Sequence, residues 1–392
     1  MGVIAPLRAA VIGTGFVGPH HVDAIRRTGY AEVVALAGSD PGRTAARAAA
    51  LGVARATADV PALLADPAID VVHVCTPNAT HVPIALAALR AGKHVVVEKP
   101  IGLDATSAAE LLTAEADSGR RAMVAFTYRG YPMIRRARDV VARGELGAIR
   151  LAHGQYLQDW LADATAWNWR IDQPVGGASR AVADIGSHWF DTIEFVSGQR
   201  VEAVLGDLAI LIPTRRRPDS SGPAFTSGAG PSTEVSIASE DAAAILVRFV
   251  GGARGSCLVS QISTGHKNDF SIEIAGEHHS LAWRQEDPEH LHVLGPDVAT
   301  TLSREPSDGV AEPGVPALPG GHIEGWGEAL RDLFRPFYAA IVADDPVPGP
   351  STPGAPPTAP YPTLTDGLRA LRFVDAVVRS SNESRWVTLD PD

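Results

Sequence analysis

Over the first 125 residues, short apolar runs alternate with segments whose apolar positions recur every three to four residues. Ala9–Ile12, Val33–Ala37, Val71–Cys75, His94–Val97 and Met123–Phe126 are nearly continuous apolar runs, the pattern of strands covered on both faces. His20–Arg27, Arg43–Leu51, Val82–Ala91 and Ala105–Ala116 have helical spacing, and Gly92 stands after the third as a helix stop. Strands alternating with helices of this length predict βαβ units on a parallel sheet.

Beyond residue 125 the pattern changes. Met133–Arg143, Ala181–Glu194 and Leu364–Val378 predict helices, the first closing at Gly144. Ile149–Tyr156 alternates like a half-exposed strand. Val201–Ile212, Glu234–Ser239, Ala242–Val250, Ala253–Ile262, Phe270–Ala275 and His279–Arg284 predict further strands, with Gly251-Gly252 as a hairpin turn. Pro213–Pro231 and Pro346–Pro362 are proline-rich and read as surface loops or linkers. The predicted fold class is α/β: an N-terminal Rossmann domain (a doubly wound parallel sheet) over residues 1–125, then a C-terminal α+β domain with a mostly antiparallel sheet over 126–380. Residues 381–392 hold a last strand, Trp386–Leu389, expected to return to the first domain.

Composition narrows the possible functions. The 392 residues are 45% hydrophobic and 20% charged, which suits a two-domain globular enzyme rather than a disordered chain. A formal net charge of −11 argues against nucleic acid and anionic membrane surfaces as partners. Cys75 and Cys257 lie far apart in apolar runs, so neither a disulfide framework nor a zinc site is expected. Met1–Ala10 leads straight into the first strand without an export signal, and the expected location is cytoplasmic.

The chemistry concentrates at the ends of the apolar runs. Gly13-Thr14-Gly15-Phe16-Val17-Gly18 follows the first strand and opens the first helix. Gly13 permits a tight turn, Gly15 a close backbone approach to a pyrophosphate, and Gly18 close packing of helix on strand. The helix N-terminus presents free N–H groups to the phosphates. Phe16 and Val17, inside this turn, belong to the same cofactor set. An acid that bonds the adenosine ribose is expected about 20 residues further on, but Gly38 stands there, followed by Ser39, Asp40 and Arg43. Asp40 could serve the ribose hydroxyls of NAD, Ser39 with Arg43 the 2′-phosphate of NADP, or Asp40 could simply cap the next helix; NAD is favoured. Thr76, Asn78 and His81 end the Val71–Cys75 strand and are further cofactor candidates, with helix capping as the alternative for the first two.

Glu98-Lys99-Pro100 ends another buried strand, and Glu98 joins the cofactor candidates. Lys99 beside a nicotinamide could stabilise an alkoxide, whereas a surface lysine paired with Glu98 is the structural alternative. Asp184 and His188 are four apart in a helical stretch, so they share a face, with Gly176-Gly177 ahead of them. His188 could accept the proton of a substrate hydroxyl and Asp184 hold that hydroxyl or tune the histidine; a satisfied core histidine is the alternative. A metal reading of the pair lacks a clear third ligand. Tyr128, Tyr156, Gln158, Trp160, Trp167 and Arg170 could build a sugar-binding wall, or in part pack the sheet; His322 could line the pocket or sit in a loop.

These motifs resemble those of the Gfo/Idh/MocA family, the glucose–fructose oxidoreductase and inositol dehydrogenase-like enzymes. The match runs through Gly13–Gly18, Thr76–His81, Glu98-Lys99-Pro100, Tyr128-Arg129, Gly144–Gly147, and Gly176-Gly177 through Asp184 and His188. The resemblance implies a Rossmann domain, a C-terminal domain on a large open sheet that forms dimers or tetramers, a nicotinamide cofactor, and catalysis by Lys99, Asp184 and His188. Gly38 departs from the acid many members carry and leaves NAD and NADP both open. Gly320–Trp326 and Tyr361–Trp386 are similar to dehydrogenases acting at C3 of pyranosides, of the levoglucosan dehydrogenase and aminoglycoside-pathway types. The expected activity is oxidation of a secondary hydroxyl of a sugar, glycoside or cyclitol. Ketosugar reduction, a cofactor-sensing regulator on the same fold, and an aldose–ketose oxidoreductase with trapped cofactor are the alternatives.

Overall fold

The computed structural model describes residues 5–219, 231–306, 318–347 and 359–389. The chain divides into two compact units: Met1–Gly130 with Trp326–Pro350 and Ala359–Leu368, and Tyr131–Gly325 with Ser351–Thr358 and Arg369–Asp392. The expected unbroken second domain over 126–380 is therefore corrected, because a late segment belongs with the first unit.

The first unit is built on six parallel strands, β1 (Leu7–Ile12), β2 (Ala31–Ala37), β3 (Arg55–Thr57), β4 (Val71–Val74), β5 (His94–Val97) and β6 (Ala122–Val124), in the order β3-β2-β1-β4-β5-β6. This is the doubly wound dinucleotide-binding order, whose ligand crevice lies at the strand C-termini where the order reverses, beside β1 and β4. The connections are α1 (Val17–Thr28), α2 (Pro41–Ala50), α3 (Val60–Ala65), α4 (His81–Arg90) and α5 (Ala105–Ser118). The apolar runs form strands because both faces are covered: Ala9, Val11, Val71, Val72 and Val96 are fully buried. β3 and α3 escaped the pattern reading; the strand has three residues, and the short helix starts where Asp59 accepts from the Ala62 amide at 2.9 Å. A further helix, Trp326–Val342, was also unanticipated. It buries Leu330, Leu333, Phe334, Phe337 and Tyr338 in one core with Val22 and Ile25 of α1.

In the second unit, α6 (Pro132–Ala142), α7 (Gln173–Gly176), α8 (Ser187–Ser197) and, from Arg369 on, the helix Leu364–Glu383 accompany eleven strands among the described residues. Nine form one sheet: β7 (Leu151–Leu157), β8 (Val201–Ala209), β11 (Ala242–Phe249), β12 (Arg254–Ser260), β13 (Asp269–Ala275), β14 (Ser280–Arg284), β15 (Asp287–Leu294), β16 (Ala299–Ser303) and β17 (Val387–Thr388). The order is β16-β15-β14-β13-β7-β12-β11-β8-β17, and every pairing is antiparallel except β7 with β12. The last strand does not return to the first unit: Val387 and Thr388 pair with Val204 and Ala203, satisfying the backbone edge that β8 would otherwise leave open. β9 (Thr214–Pro218) and β10 (Ser232–Ser236) pair as a separate ribbon, which corrects the loop expected from Pro213 onward. The rest of that stretch, 220–230, and the centre of the second proline-rich stretch, 348–358, lie outside the described residues. Ile237, just after the ribbon, joins Leu161, Ala166 and Ile171 in a small satellite core.

The helix α8 is set by glycine in the strand beneath it. A Cβ at Gly154 of β7 would come under 3.0 Å from the Ser271 carbonyl of β13 and stand 2.7 Å from the Trp189 indole nitrogen, so glycine is needed both for the strand beside it and for this buried tryptophan. Glu194, near the other end of α8, is held by Arg200 at 2.8 Å and Arg369 at 2.7 Å. Among the described residues no helix is long and apolar enough to cross a membrane.

Candidate active site

In the first unit the candidate residues gather at the C-terminal ends of β1, β4 and β5. Gly13 turns with φ +123°, and a Cβ there would come under 3.0 Å from the Cys75 carbonyl. A Cβ at Gly18 would meet the Gly13 carbonyl in the same way. Gly15 differs: it is exposed and nothing lies within 4 Å of where its Cβ would be. Two glycines thus shape the turn and the middle one leaves open space at a helix N-terminus, which is what a pyrophosphate requires. Phe16 is exposed beside His20 and Trp326, and Val17 is half-buried.

At the end of β2, a Cβ at Gly38 would lie 2.6 Å from the Thr44 hydroxyl and 2.9 Å from Thr14. Close packing therefore explains why no acid stands there. Asp40 caps α2, accepting from the Arg43 amide at 2.8 Å, and its other oxygen lies 3.7 Å from the Arg43 guanidinium. Ser39, Asp40 and Arg43 are all exposed. The cap uses one carboxylate oxygen, so capping and a ribose contact are compatible.

After β4, Thr76 accepts from the Thr80 hydroxyl at 2.7 Å, and Asn78 is buried in a 3₁₀ turn. His81 points its ring into the protein interior. Its ring is 1% exposed, with Nδ1 2.7 Å from the Pro100 carbonyl and Nε2 2.7 Å from the Thr76 carbonyl. It ties the ends of β4 and β5 together. Burial pushes the His81 imidazolium down, against the two carbonyls and Glu98, which raise it. The Lys99–Pro100 bond is cis. Lys99 is half-buried, and its amide donates to Glu98 Oε2 at 3.1 Å. Glu98 is buried, and its Oε1 accepts from His21 at 3.0 Å.

In the second unit the helical spacing of Asp184 and His188 runs through a π-turn, Val182–Gly186, into α8. Such turns recur at functional sites. Both oxygens of Asp184 are held: Arg170 Nε donates at 3.0 Å and Gln261 Nε2 at 2.8 Å. Arg170 is therefore a partner of Asp184 as well as a wall candidate, and it stacks 4.4 Å from the Trp169 ring. Gly176 explains the glycine pair, because a Cβ there would collide with the Arg170 backbone. The start of the π-turn is fixed by Glu240, which accepts from the Ser179 hydroxyl at 2.7 Å, the Arg180 amide at 3.0 Å and the Val182 amide at 2.9 Å.

His188 is 8% exposed and its ring centroid is 6.2 Å from that of Tyr156. Tyr156 donates to Asn268 Oδ1 at 2.7 Å, Gln158 donates to the same oxygen at 3.0 Å, and Trp160 donates to Gln158 at 2.9 Å. The wall residues of β7 and the following loop are thus one hydrogen-bonded set. Trp167 packs against the satellite core with Arg217 over its ring at 5.7 Å. Two expectations need correction or relocation. Tyr128 is 2% exposed, so it is a buried residue rather than an open face. His322 is exposed, but in a separate loop pinned by Arg304, which donates to the His322 carbonyl at 2.8 Å. Gln261, Trp169, Asn268 and Glu240 were missed. Gln261 follows the last residue of β12, Ser260, and nothing in the sequence singled it out.

A parallel sheet of this order with an open glycine at its first turn, joined to an α+β unit carrying an anchored Asp–His pair, defines a dinucleotide-binding oxidoreductase. The chain belongs to the Gfo/Idh/MocA oxidoreductase family: residues 7–126 match its NAD-binding Rossmann-fold model and residues 134–282 its C-terminal domain model. It is 31% identical over 363 residues to levoglucosan dehydrogenase of Pseudarthrobacter phenanthrenivorans, covering 90% of this chain and 88% of that one. An oxidoreductase domain protein from Kribbella flavida superposes with a TM-score of 0.85 at 32% identity, covering 99% of this chain and all (100%) of the other. A levoglucosan dehydrogenase in complex with NADH and L-sorbose gives a TM-score of 0.86 at 27% identity over 99% of this chain and 100% of its own. The cofactor is NAD, in keeping with the open Gly15 turn.

Proposed function

We propose that this protein oxidises a secondary hydroxyl of a sugar, glycoside or cyclitol, with C3 of a pyranoside or aminoglycoside sugar as the favoured position. The observation that carries the reading is the Asp184 carboxylate, held on both oxygens by Arg170 and Gln261 one turn ahead of His188. A carboxylate so anchored is suited to orienting a substrate hydroxyl. His188 takes the hydroxyl proton, and the Lys99 ammonium stabilises the developing alkoxide. The backbone of Gly13–Gly18 with Thr76 and Asn78 would hold the cofactor, which when bound would supply the acceptor for the hydride of the carbinol carbon. The alcohol thereby becomes a ketone, one proton passing to His188 and two electrons leaving with the hydride. The same groups acting in reverse would reduce a ketosugar. Similarity to levoglucosan dehydrogenase supports the substrate class. The test is Lys99→Ala and His188→Ala: turnover is lost with NAD binding retained, whereas near-normal turnover removes these roles.

The second unit's sheet supports self-association. Leu246 of β11, Leu258 of β12 and Leu151 of β7 are 48%, 46% and 51% exposed, on the face away from the buried residues Ile245, Val247, Cys257 and Val259. Apolar residues on an open sheet suit a homodimer or homotetramer interface. The two free, buried cysteines suit a reducing cytoplasm.

A further inference from the structure

Three fully buried groups of the first unit take no part in the chemistry above: His21, His73 and Tyr338. They form one chain of hydrogen bonds ending on Glu98. Tyr338 OH lies 2.9 Å from His73 Nε2, His73 Nδ1 lies 2.9 Å from His21 Nδ1, and His21 Nε2 lies 3.0 Å from Glu98 Oε1. The other carboxylate oxygen accepts from the Lys99 amide at 3.1 Å. Phe334 stands edge-on to both imidazoles and closes the chain off from water.

Counting donors gives this chain a direction. A carboxylate oxygen only accepts, so the proton of His21 is on Nε2. In a neutral His21 ring, Nδ1 then accepts from His73 Nδ1–H, and His73 Nε2 accepts from the Tyr338 hydroxyl. Every donor is used. The opposite direction requires a His21 imidazolium and makes the Tyr338 oxygen an acceptor. That would strand a fully buried O–H, because His73 is the hydrogen-bond partner of this hydroxyl among the described residues. The ionisation tendencies agree. Burial pushes the His73 imidazolium far down and the Tyr338 phenol far up, so both are neutral. Burial also pushes the Glu98 carboxyl up, but the hydrogen bond from His21 and the nearby Lys99 ammonium hold it below its ordinary value.

We propose that Tyr338, His73 and His21 are positioning residues: a one-way hydrogen-bond chain, anchored in the helix Trp326–Val342, that fixes Glu98 as the acceptor holding the Lys99 peptide. Tyr338 sets the tautomer of His73, His73 sets that of His21, and His21 holds the Glu98 carboxylate in register with Lys99. The significance for catalysis rests on the role proposed for Lys99, but the test does not require turnover. Ring-nitrogen NMR of the full-length, histidine-labelled protein reads the tautomers directly. His21 is expected to be protonated at Nε2 alone and His73 at Nδ1 alone; an imidazolium at His21 overturns the direction. In Tyr338→Phe, which removes one hydroxyl, the His21 ring signals shift although the substitution is two links away. The Lys99 amide then exchanges with deuterium about tenfold faster. Unchanged His21 signals or unchanged Lys99 protection overturn the proposal. His73→Phe, which keeps an aromatic ring against Phe334, must give the same loss of Lys99 protection if Tyr338→Phe does not fold. A protein that turns over no sugar but gives these results fails the dehydrogenase reading and keeps this one.

Discussion

Gly15→Ala and Gly13→Ala add the same methyl group two residues apart and are expected to do opposite things. At Gly13 the backbone sits at φ +123°, where a side chain costs about 1–2 kcal/mol, and the new Cβ would come under 3.0 Å from the Cys75 carbonyl. Relieving that overlap means moving the end of β4, for roughly another 1–3 kcal/mol. The total, about 2–5 kcal/mol, falls on folding. At Gly15 no atom lies within 4 Å of the added carbon, so stability should stay within about 0.5 kcal/mol of the parent. The methyl would instead occupy space assigned to the pyrophosphate. Crowding a close contact by one methyl costs about 1–3 kcal/mol, equivalent to roughly a five- to 150-fold weaker Kd for NAD. Thermal unfolding and a titration of NADH fluorescence read the two quantities separately. If Gly15→Ala binds NAD as tightly as the parent while remaining folded, the cradle is not where the cofactor phosphates lie.

Further outcomes follow from particular contacts. Arg170→Leu and Gln261→Ala each leave one Asp184 oxygen without its donor; steady-state kinetics should show kcat lower by about ten- to a hundredfold with KM for NAD unchanged, and an equal loss in both terms would argue for general damage. Glu115 accepts from the Ala122 amide at 2.7 Å, and burial pushes its carboxyl from 4.5 up to about 7. The folded state thus keeps a proton that the unfolded chain releases, so this group makes stability fall as pH rises from about 4.5 to about 7. Glu115→Gln should therefore raise the unfolding free energy at pH ~8 by roughly 2–3 kcal/mol and not at pH ~4, as chemical denaturation at both values would read. Leu246→Arg with Leu258→Arg, on the open sheet face, should lower the mass measured by light scattering without lowering Tm; an unchanged mass places any self-association elsewhere.

Much of the fold was legible because its strongest signals are local. The β-branched runs at β4 and β5 could only be covered strands, and the glycine turn fixed the first βα unit. What escaped was short or internally contradictory. β3 has three residues. The helix Trp326–Val342 carries the apolar spacing of its buried face but has Pro336 inside it, which reads as a breaker. The C-terminal strand was seen, but its partner β8 lies in the second unit, and a two-residue strand carries no pairing information. At the site, Lys99, Asp184 and His188 stood out in the sequence through motif spacing and family resemblance. Their supports did not, because Gln261, Glu240, His73 and Tyr338 act through long-range contacts: Gln261 reaches Asp184 across 77 positions and Tyr338 reaches His73 across 265. Tyr128 and His81 were assigned to ligands from sequence neighbourhood alone, and burial assigns them to the protein interior.

The central claim is hydride transfer from a sugar or cyclitol hydroxyl to NAD. Absorbance of the reduced nicotinamide, followed on mixing the purified protein and NAD with a panel of glycosides, aminoglycosides and inositols, tests it most directly. The account predicts a signal with at least one member and none from Lys99→Ala or His188→Ala. Silence across the panel and with ketosugars plus NADH in the reverse direction, in a protein shown to bind NAD, would contradict it.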